Sequence, residues 1–313
     1  MKAEAPGLLL VDKPAGPTSH DVVQAARRAL RERRIGHTGT LDPAATGLLV
    51  LCVGKATRLQ QFLLAWPKTY EGEIRLGFAT TTYDADGTAV EPARPVPPLE
   101  RARLTELAGR FTGELDQLPP PYSAKKVGGR KFYELAREGQ EVPREAKRVR
   151  LLEFGLEPAD AERLRFSVTC SSGTYVRSLA HDIGEALGCG GHLGSLRRVA
   201  VGPWRVADAV SAETLANRPQ DLPAGAFLPL TASVLPFPEV ALNPTAADHF
   251  AHGQEVVVRE AEGGFTPGGQ VAVRDRAGEL LGVGLAVIFQ PRARILHLAP
   301  RLVLAEVESP AKP

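Results

Sequence analysis

With 313 residues, 43% of them hydrophobic and 24% charged, the chain has the make-up of a globular protein large enough for two domains. Lys and Arg number 38 against 36 Asp and Glu, so a formal charge of only +2 excludes a polyanion-binding role based on total charge and leaves local clusters to supply one. Cys52, Cys170 and Cys189 lie far apart without a C-x-x-C pair, the apolar run 8–11 is too short for a signal-peptide core, and no stretch approaches a membrane span; a soluble intracellular protein in a reducing cytosol is expected, without zinc or disulfides.

In chain order, Leu8 to Val11 reads as a short buried strand, ended by Pro14, Gly16 and Pro17. Thr18 or Ser19 then caps a helix in which Val22, Val23, Ala26 and Leu30 keep a helical period, with Gly36 as the stop. Residues 22–35 carry Arg27, Arg28, Arg31, Arg33 and Arg34 against Glu32, a local net charge of +4. This basic helix leads into the loop 36–47, where Asp42 is the single carboxylate among mostly small residues. Gly36, Gly39 and Gly47 permit positive φ and close approach of another molecule. Asp42 is therefore either a ligand-facing carboxylate or, with Pro43 at the first helical position, a helix N-cap; on the loop's residues alone the cap is favoured.

Residues 48–53 read as a buried strand, 55–65 as a helix, 69–76 as an alternating strand and 83–87 as a turn. Prolines 92, 95, 97 and 98 form a stiff link into a helix over 99–108, with Gly109 as its stop. The segment 119–150 holds nine basic side chains against four Glu, a local net of +5. Residues 148–156 and 163–170 read as adjacent strands, and 175–187 as a helix stopped by Gly188. Five prolines between 217 and 238 mark a domain boundary, followed by a helix over 245–252 and short β runs at 255–258, 271–274, 280–288 and 295–298. Without regular βαβ alternation, the larger part is α+β.

Two apparent sites fail on spacing. Gly47 to Lys55 imitates a phosphate loop, but six residues separate the glycines where four are needed, and Ala56 replaces the Ser or Thr. His249 and His252 have no third ligand in a recognisable zinc pattern and read as surface residues. Tyr175 and Arg177, placed in the first turn of a helix after Gly173, are more informative. The guanidinium can fork onto a carboxylate, or the pair can simply cover a strand end.

Taken together, residues 8–14, the loop 36–47, Lys68 to Tyr70 with Asp84 to Gly87, Pro120 to Lys125, and 170–192 with Leu196 to Arg198 resemble the TruB family, bacterial tRNA pseudouridine synthases acting on the T-loop uridine at tRNA position 55. The blocks stand in family order across most of residues 7–200. The resemblance implies Asp42 as the essential carboxylate and Arg177 as its partner. His37 would help hold the substrate arm open, Tyr70 would stack on the target base, and Tyr175 and Leu196 would line the uracil pocket. Lys13 would give local structural support. Segment 119–150, with Lys125, Lys126, Arg130 and Lys131, would grip the RNA backbone, supported by the basic surface at 22–35.

The fold implied is a pseudouridine synthase catalytic domain over 1–235, α+β with a mixed, largely antiparallel sheet, and a small PUA-like RNA-binding β domain over 236–313, the looser match. A cytoplasmic monomer binding the T arm of tRNA, with no cofactor, no metal and no membrane, is expected. Asp42 would act as nucleophile or as base on a flipped-out nucleotide, a choice the sequence leaves open. A non-catalytic RNA-binding protein is the alternative from another class. A hydrolytic glycosidase would need a second carboxylate, for which Asp84, Asp86 and Asp182 are formal candidates, read as turn and helix-surface residues.

Overall fold

The computed structural model describes residues 6–90, 92–121 and 145–304, together with the backbone of 126–127 and 130–131. The chain opens with β1 (Gly7–Lys13), helix α1 (Ser19–Leu30), the short β2 (Ile35–His37) and β3 (Thr46–Val53). β1 and β3 are apolar without alternation because they pair deep in a sheet covered on both faces. Leu8, Leu10, Leu48 and Val50 face one core, while Leu9, Val11, Leu49 and Leu51 face another under α1.

Thr18 caps α1 in a reciprocal box with Asp21. The helix ends at Arg31, whose φ of 50° is left-handed, and not at Gly36 as expected. Ile35 is the reason: it is 3% exposed and must turn back so that β2 pairs with β3.

After β3 come a 3-10 turn (Gly54–Leu59), the short α2 (Gln60–Leu63), β4 (Lys68–Leu76), α3 (Arg101–Phe111) and β5 (Gly113–Gln117). Gly109 does not stop α3; Gly113, at φ +102°, makes the turn into β5. Next are a two-residue hairpin, β6 (Lys126–Val127) with β7 (Arg130–Lys131), and the long pair β8 (Lys147–Pro158) and β9 (Arg163–Cys170). Helix α4 (Val176–Leu187) ends, as expected, at a left-handed Gly188.

The chain then enters β10 (Gly191–Val201), a central strand that sequence reading left unassigned. Its pattern is broken by two bulges, between Leu193 and Ser195 and between Arg198 and Ala200, which shift the alternation a strand would show. The remainder comprises β11 (Trp204–Arg205), β12 (Val210–Ser211), α5 (Ala212–Asn217), β13 (Phe227–Pro229), β14 (Glu239–Ala241), α6 (Pro244–Ala251), β15 (Val256–Val258), β16 (Gln270–Arg274), β17 (Leu280–Gln290) and β18 (Ile295–Val303).

The main sheet runs β12-β1-β3-β10-β4-β9-β8-β5, with β2, β11 and β13 paired alongside. Among the described strand pairs of this sheet only β1–β12 and β3–β10 are parallel, so the α+β fold with a mixed, largely antiparallel sheet is as expected. α3 and α4 cover the face of its β4-β9-β8 half. A second sheet runs β14-β16-β17-β18-β15. The proline-bearing stretch before it is packed: β13 pairs with β1, and the Trp66 indole N–H donates to the Val234 carbonyl at 3.0 Å. Val234 and Leu235 share one core with Leu8 and Phe62 of the first sheet's side and Ala272 and Val283 of the second.

Candidate active site

Asp42 sits in the loop between β2 and β3, and it starts no helix: the Ala45 N–H donates to the Asp42 carbonyl at 3.1 Å in a turn. The helix-cap alternative therefore fails. The loop is held by side chains from three distant elements. Lys13, at the end of β1 and 0% exposed, donates to the carbonyls of Pro14, Pro43 and Ala45 at 2.9, 3.1 and 2.7 Å. Ser19, at the start of α1, accepts from the Leu41 N–H at 2.8 Å and donates to its carbonyl at 3.0 Å. Arg198 on β10, 2% exposed, donates to Leu48 O at 2.7 Å and to Gly39 O at 3.0 Å. Each of these donors meets a backbone carbonyl in the loop or beside it, so the loop's polar backbone is satisfied from outside.

Gly47 closes the loop at the point where β3 meets β10. Its φ is +102°, and a Cβ there would lie 2.3 Å from the Arg198 carbonyl oxygen, so both backbone conformation and close approach demand glycine.

The Asp42 carboxylate, 48% exposed, receives the Arg177 guanidinium: Nε to Oδ2 is 3.1 Å. Arg177 reaches it from the first turn of α4, as the sequence placed it. Its Nη1 also donates to Asp84 Oδ2 and to Thr82 O, both at 3.3 Å. Asp84 is in turn held by the Thr82 hydroxyl and by the Asp86 N–H at 3.2 Å. The expectation for Asp84 was a turn residue; the turn is real, and its carboxylate is the second anchor of Arg177. Asp182 does not line the Asp42 cleft, and its carboxyl is pushed up to about 6 by burial and then by Glu185.

Around Asp42 opens a cleft of about 370 Å³ lined by Gly39, Thr40, Lys68, Tyr70, Tyr175, Arg177, Leu196 and Arg198 among others. Of the residues expected at the site, Asp42, Tyr70, Tyr175, Arg177 and Leu196 meet there. Tyr70 is 8% exposed and lies 6.0 Å from the Arg198 guanidinium carbon, measured to the ring centroid; burial pushes its phenol up, so it stays protonated. Tyr175 is the N-cap residue of α4, fixed through its backbone by Gln117, which accepts from its N–H at 2.7 Å and donates to its carbonyl at 3.0 Å.

His37 is not in the lining. It ends β2, where its Nδ1 accepts from the Gly39 N–H at 3.3 Å; burial, then Arg198, lowers its pKa, which favours the neutral ring. Lys125 and the side chains of Lys126, Arg130 and Lys131 lie outside the described residues. The roots of their segment are described, one beside α4 and the other beside Gly173 of the cleft lining. Ser178 of α4 donates to Leu118 O at 2.7 Å, and a Cβ at Gly173 would strike the Lys147 amine.

Sequence reading missed the roles of Asp84, Gln117, Arg198 and Lys68. Lys68 is 5% exposed and donates to Leu64 O at 2.8 Å and Trp66 O at 2.7 Å; burial, assisted by Arg198, lowers its pKa to about 8. Asp84, Lys68 and Arg198 all stood inside the blocks that carried the family resemblance, but their partners become visible only once β4, β10 and α4 are assembled.

Comparison with known proteins decides what this arrangement belongs to. Residues 27–176 match the family "TruB family pseudouridylate synthase (N terminal domain)", 177–237 the "tRNA pseudouridylate synthase B C-terminal domain" and 238–287 "Pseudouridine synthase II TruB, C-terminal". A tRNA pseudouridine synthase B of Burkholderia mallei (strain NCTC 10247) is 46% identical over 282 residues, 90% of this chain and 93% of the relative. The chain belongs to the TruB family. A second TruB relative, the tRNA pseudouridine synthase B of Azoarcus sp. (strain BH72), is 46% identical over 89% of this chain and 90% of its own. Among solved structures, the archaeal box H/ACA sRNP Nop10-Cbf5 complex superposes with a TM-score of 0.72 at 25% identity, covering 96% of this chain and 86% of that one. The TruB chain is thus a pseudouridine synthase, an isomerase, with a PUA-like C-terminal unit. No helix among its described residues is long and apolar enough to cross a membrane.

Proposed function

We propose that this TruB chain converts the T-loop uridine at tRNA position 55 to pseudouridine, with Asp42 as the carboxylate that acts on a flipped-out nucleotide. One observation carries the reading: a half-exposed acid, oriented by Arg177 at 3.1 Å, is the only carboxylate among the described residues lining a cleft walled by Tyr70, Tyr175 and Leu196, Asp84 and Asp86 lining a smaller pocket beside it. Isomerisation breaks the bond from N1 to the sugar carbon, turns the base and joins C5 to that carbon. The overall reaction needs no oxidant and no group carrier. A lone carboxylate suits it, attacking the sugar carbon or removing the neighbouring ribose proton.

Flipping the nucleotide costs roughly a few kcal/mol. Stacking on the protonated Tyr70 ring returns on the order of 1 to 3 kcal/mol. Phosphate contacts from segment 119–150, including Lys125, Lys126, Arg130 and Lys131, supply the remainder. That segment is rooted at Leu118, against Ser178 of α4, and at Lys147, against Gly173 of the cleft lining, where an RNA hairpin entering the cleft would pass. His37 meets the same RNA outside the cleft. We assign residues 1–235 to catalysis and 236–313 to the small PUA-like RNA-binding unit of a cytoplasmic monomer.

The glycosidase reading loses support because no second carboxylate is among the described residues lining the main cleft, Asp84 standing in a smaller adjoining pocket. Asp42→Asn should bind an unmodified tRNA transcript with wild-type affinity and form no pseudouridine, mapped by chemical blocking of reverse transcription. Turnover near the wild-type rate would remove Asp42 from its role. Release of free uracil by the unsubstituted protein would revive the hydrolase.

A further inference from the structure

Three consecutive residues of the turn 82–84 meet α4. Thr82 O and Asp84 Oδ2 both accept from Arg177 Nη1 at 3.3 Å. Between them, the Tyr83 ring stacks on His181, with centroids 3.9 Å apart and planes 5° from parallel. His181 follows Arg177 by four residues, about one turn further along α4. The turn therefore grips one helix twice, through acceptors at Arg177 and through a ring one turn beyond.

Tyr83 has a φ of 64°. That left-handed backbone is an outlier for a bulky residue and persists where surrounding contacts hold it. Glycine would adopt it without steric cost, so what the tyrosine adds is its side chain, a ring for His181. The main chain of the turn is held from the other side. The Tyr83 N–H donates to Thr80 O at 3.2 Å, and its carbonyl accepts from the Leu193 N–H of β10 at 3.0 Å. The Thr80 hydroxyl donates to Asp84 O at 2.7 Å. Neither Tyr83 nor His181 is among the described residues lining the Asp42 cleft or the smaller pocket beside it. Their route to the reaction is through Arg177, whose Nη1 meets the turn while its Nε holds Asp42 Oδ2 at 3.1 Å.

We propose that Tyr83 and His181 are positioning residues for pseudouridine formation, their stack locking the 82–84 turn onto α4 so that Arg177 keeps the geometry that orients Asp42. The proposal rests on the reading of Asp42 above, and Asp42→Asn in the same assay tests that reading by itself. Single-turnover rate at saturating unmodified tRNA, tRNA affinity and Tm are measured for Tyr83→Ala, His181→Ala, their combination, and the ring-preserving Tyr83→Phe and His181→Phe. Each alanine variant should lose roughly 5-fold in rate, the worth of one aromatic pair, with affinity held within about two-fold. The combined variant should also lose roughly 5-fold and not roughly 25-fold, because either change alone dissolves the stack. Both phenylalanine variants should stay within about two-fold of wild type, a rescue expected only if the stack is what matters. Added to Asp84→Asn, His181→Ala should cost less than about two-fold more, since the anchor that the stack positions has already lost its charge. Should Tyr83→Ala not fold, His181→Ala carries the test, alanine being the best helix former. Alanine variants within about two-fold of the wild-type rate, affinity losses equal to the rate losses, phenylalanine variants as slow as the alanine ones, or a full additional loss on Asp84→Asn would each overturn the proposal. Turnover by Asp42→Asn would instead count against the functional reading.

Discussion

Asp84→Asn isolates what the second anchor of Arg177 contributes, because asparagine keeps the shape and removes the charge. In the native arrangement Arg177 spreads its donors over Asp42 at 3.1 Å and over Asp84 and Thr82 O at 3.3 Å. The side chains of Arg177 and Asp84 are 13% and 21% exposed, so solvent screens their pair only in part. A hydrogen bond to a charged group contributes about 1.5 to 3 kcal/mol, and the residual exposure argues for the lower end, about 1.5 kcal/mol. If that energy orients Arg177 while charge redistributes at Asp42, the single-turnover rate at saturating tRNA should fall roughly 10-fold. Asp84 lines only the smaller pocket that adjoins the main cleft at Asp42, so tRNA affinity should hold within about two-fold. Rapid-quench kinetics and filter binding on one preparation separate the two quantities. A rate within two-fold of wild type, accompanied by a lowered Tm, would reduce Asp84 to a fold-stabilising residue and refute the reasoning.

Three more outcomes follow from the loop and its supports. Lys13→Met removes the donor shared by three carbonyls, so it should cost about 3 kcal/mol in urea unfolding and slow turnover more than it weakens binding; a stability change below about 0.5 kcal/mol would contradict it. Gly47→Ala forces a Cβ to 2.3 Å from Arg198 O at φ +102°, and should destabilise by more than about 2 kcal/mol, read as a Tm loss of several degrees. Lys68 has a folded pKa of about 8, below its unfolded value of 10.5, so the unfolded chain binds more protons between those values and stability contributed by this group rises with pH there. Between pH 7.5 and 9.5 the unfolding free energy of wild type minus Lys68→Met should therefore increase by about 2 kcal/mol, and a flat difference would show that the buried amine keeps its proton.

How far the sequence could be read depended on whether a signal was local. β1, β3, β4, β8 and β9 were legible because apolar runs and alternation are properties of consecutive residues. β10 was not, since its two bulges shift the alternation and the strand is fixed by partners on β3 and β4 more than a hundred residues away. Gly36 and Gly109 misled as helix stops for the opposite reason: α1 ended early so that Ile35 could be buried, and α3 continued past a glycine into Phe111, which packs on the main core. At the site, Asp42 and Arg177 stood out through the family blocks. The clamps by Asp84 and Gln117 depend on side chains meeting across folded elements, and no spacing along the chain encodes them.

The same dependence explains how a chain with a net charge of +2 keeps a strongly cationic cleft. Arg177, Arg198 and Lys68 line it with Asp42, and Lys13 lies just beneath the loop. Lys13, Lys68 and Arg198 are almost completely buried, which would be costly for cations left without partners. Each instead donates to backbone carbonyls: Pro43 and Ala45 in the Asp42 loop, Leu64 and Trp66 ahead of β4, and Gly39 in the loop with Leu48 near the start of β3. Carbonyls satisfy the hydrogen bonds but cancel no charge, so the cleft retains a positive field for RNA phosphate. Asp42 remains ion-paired along one edge to Arg177 and half-exposed elsewhere. Replacing those carbonyl contacts by carboxylates would have anchored the loop equally well and repelled the substrate.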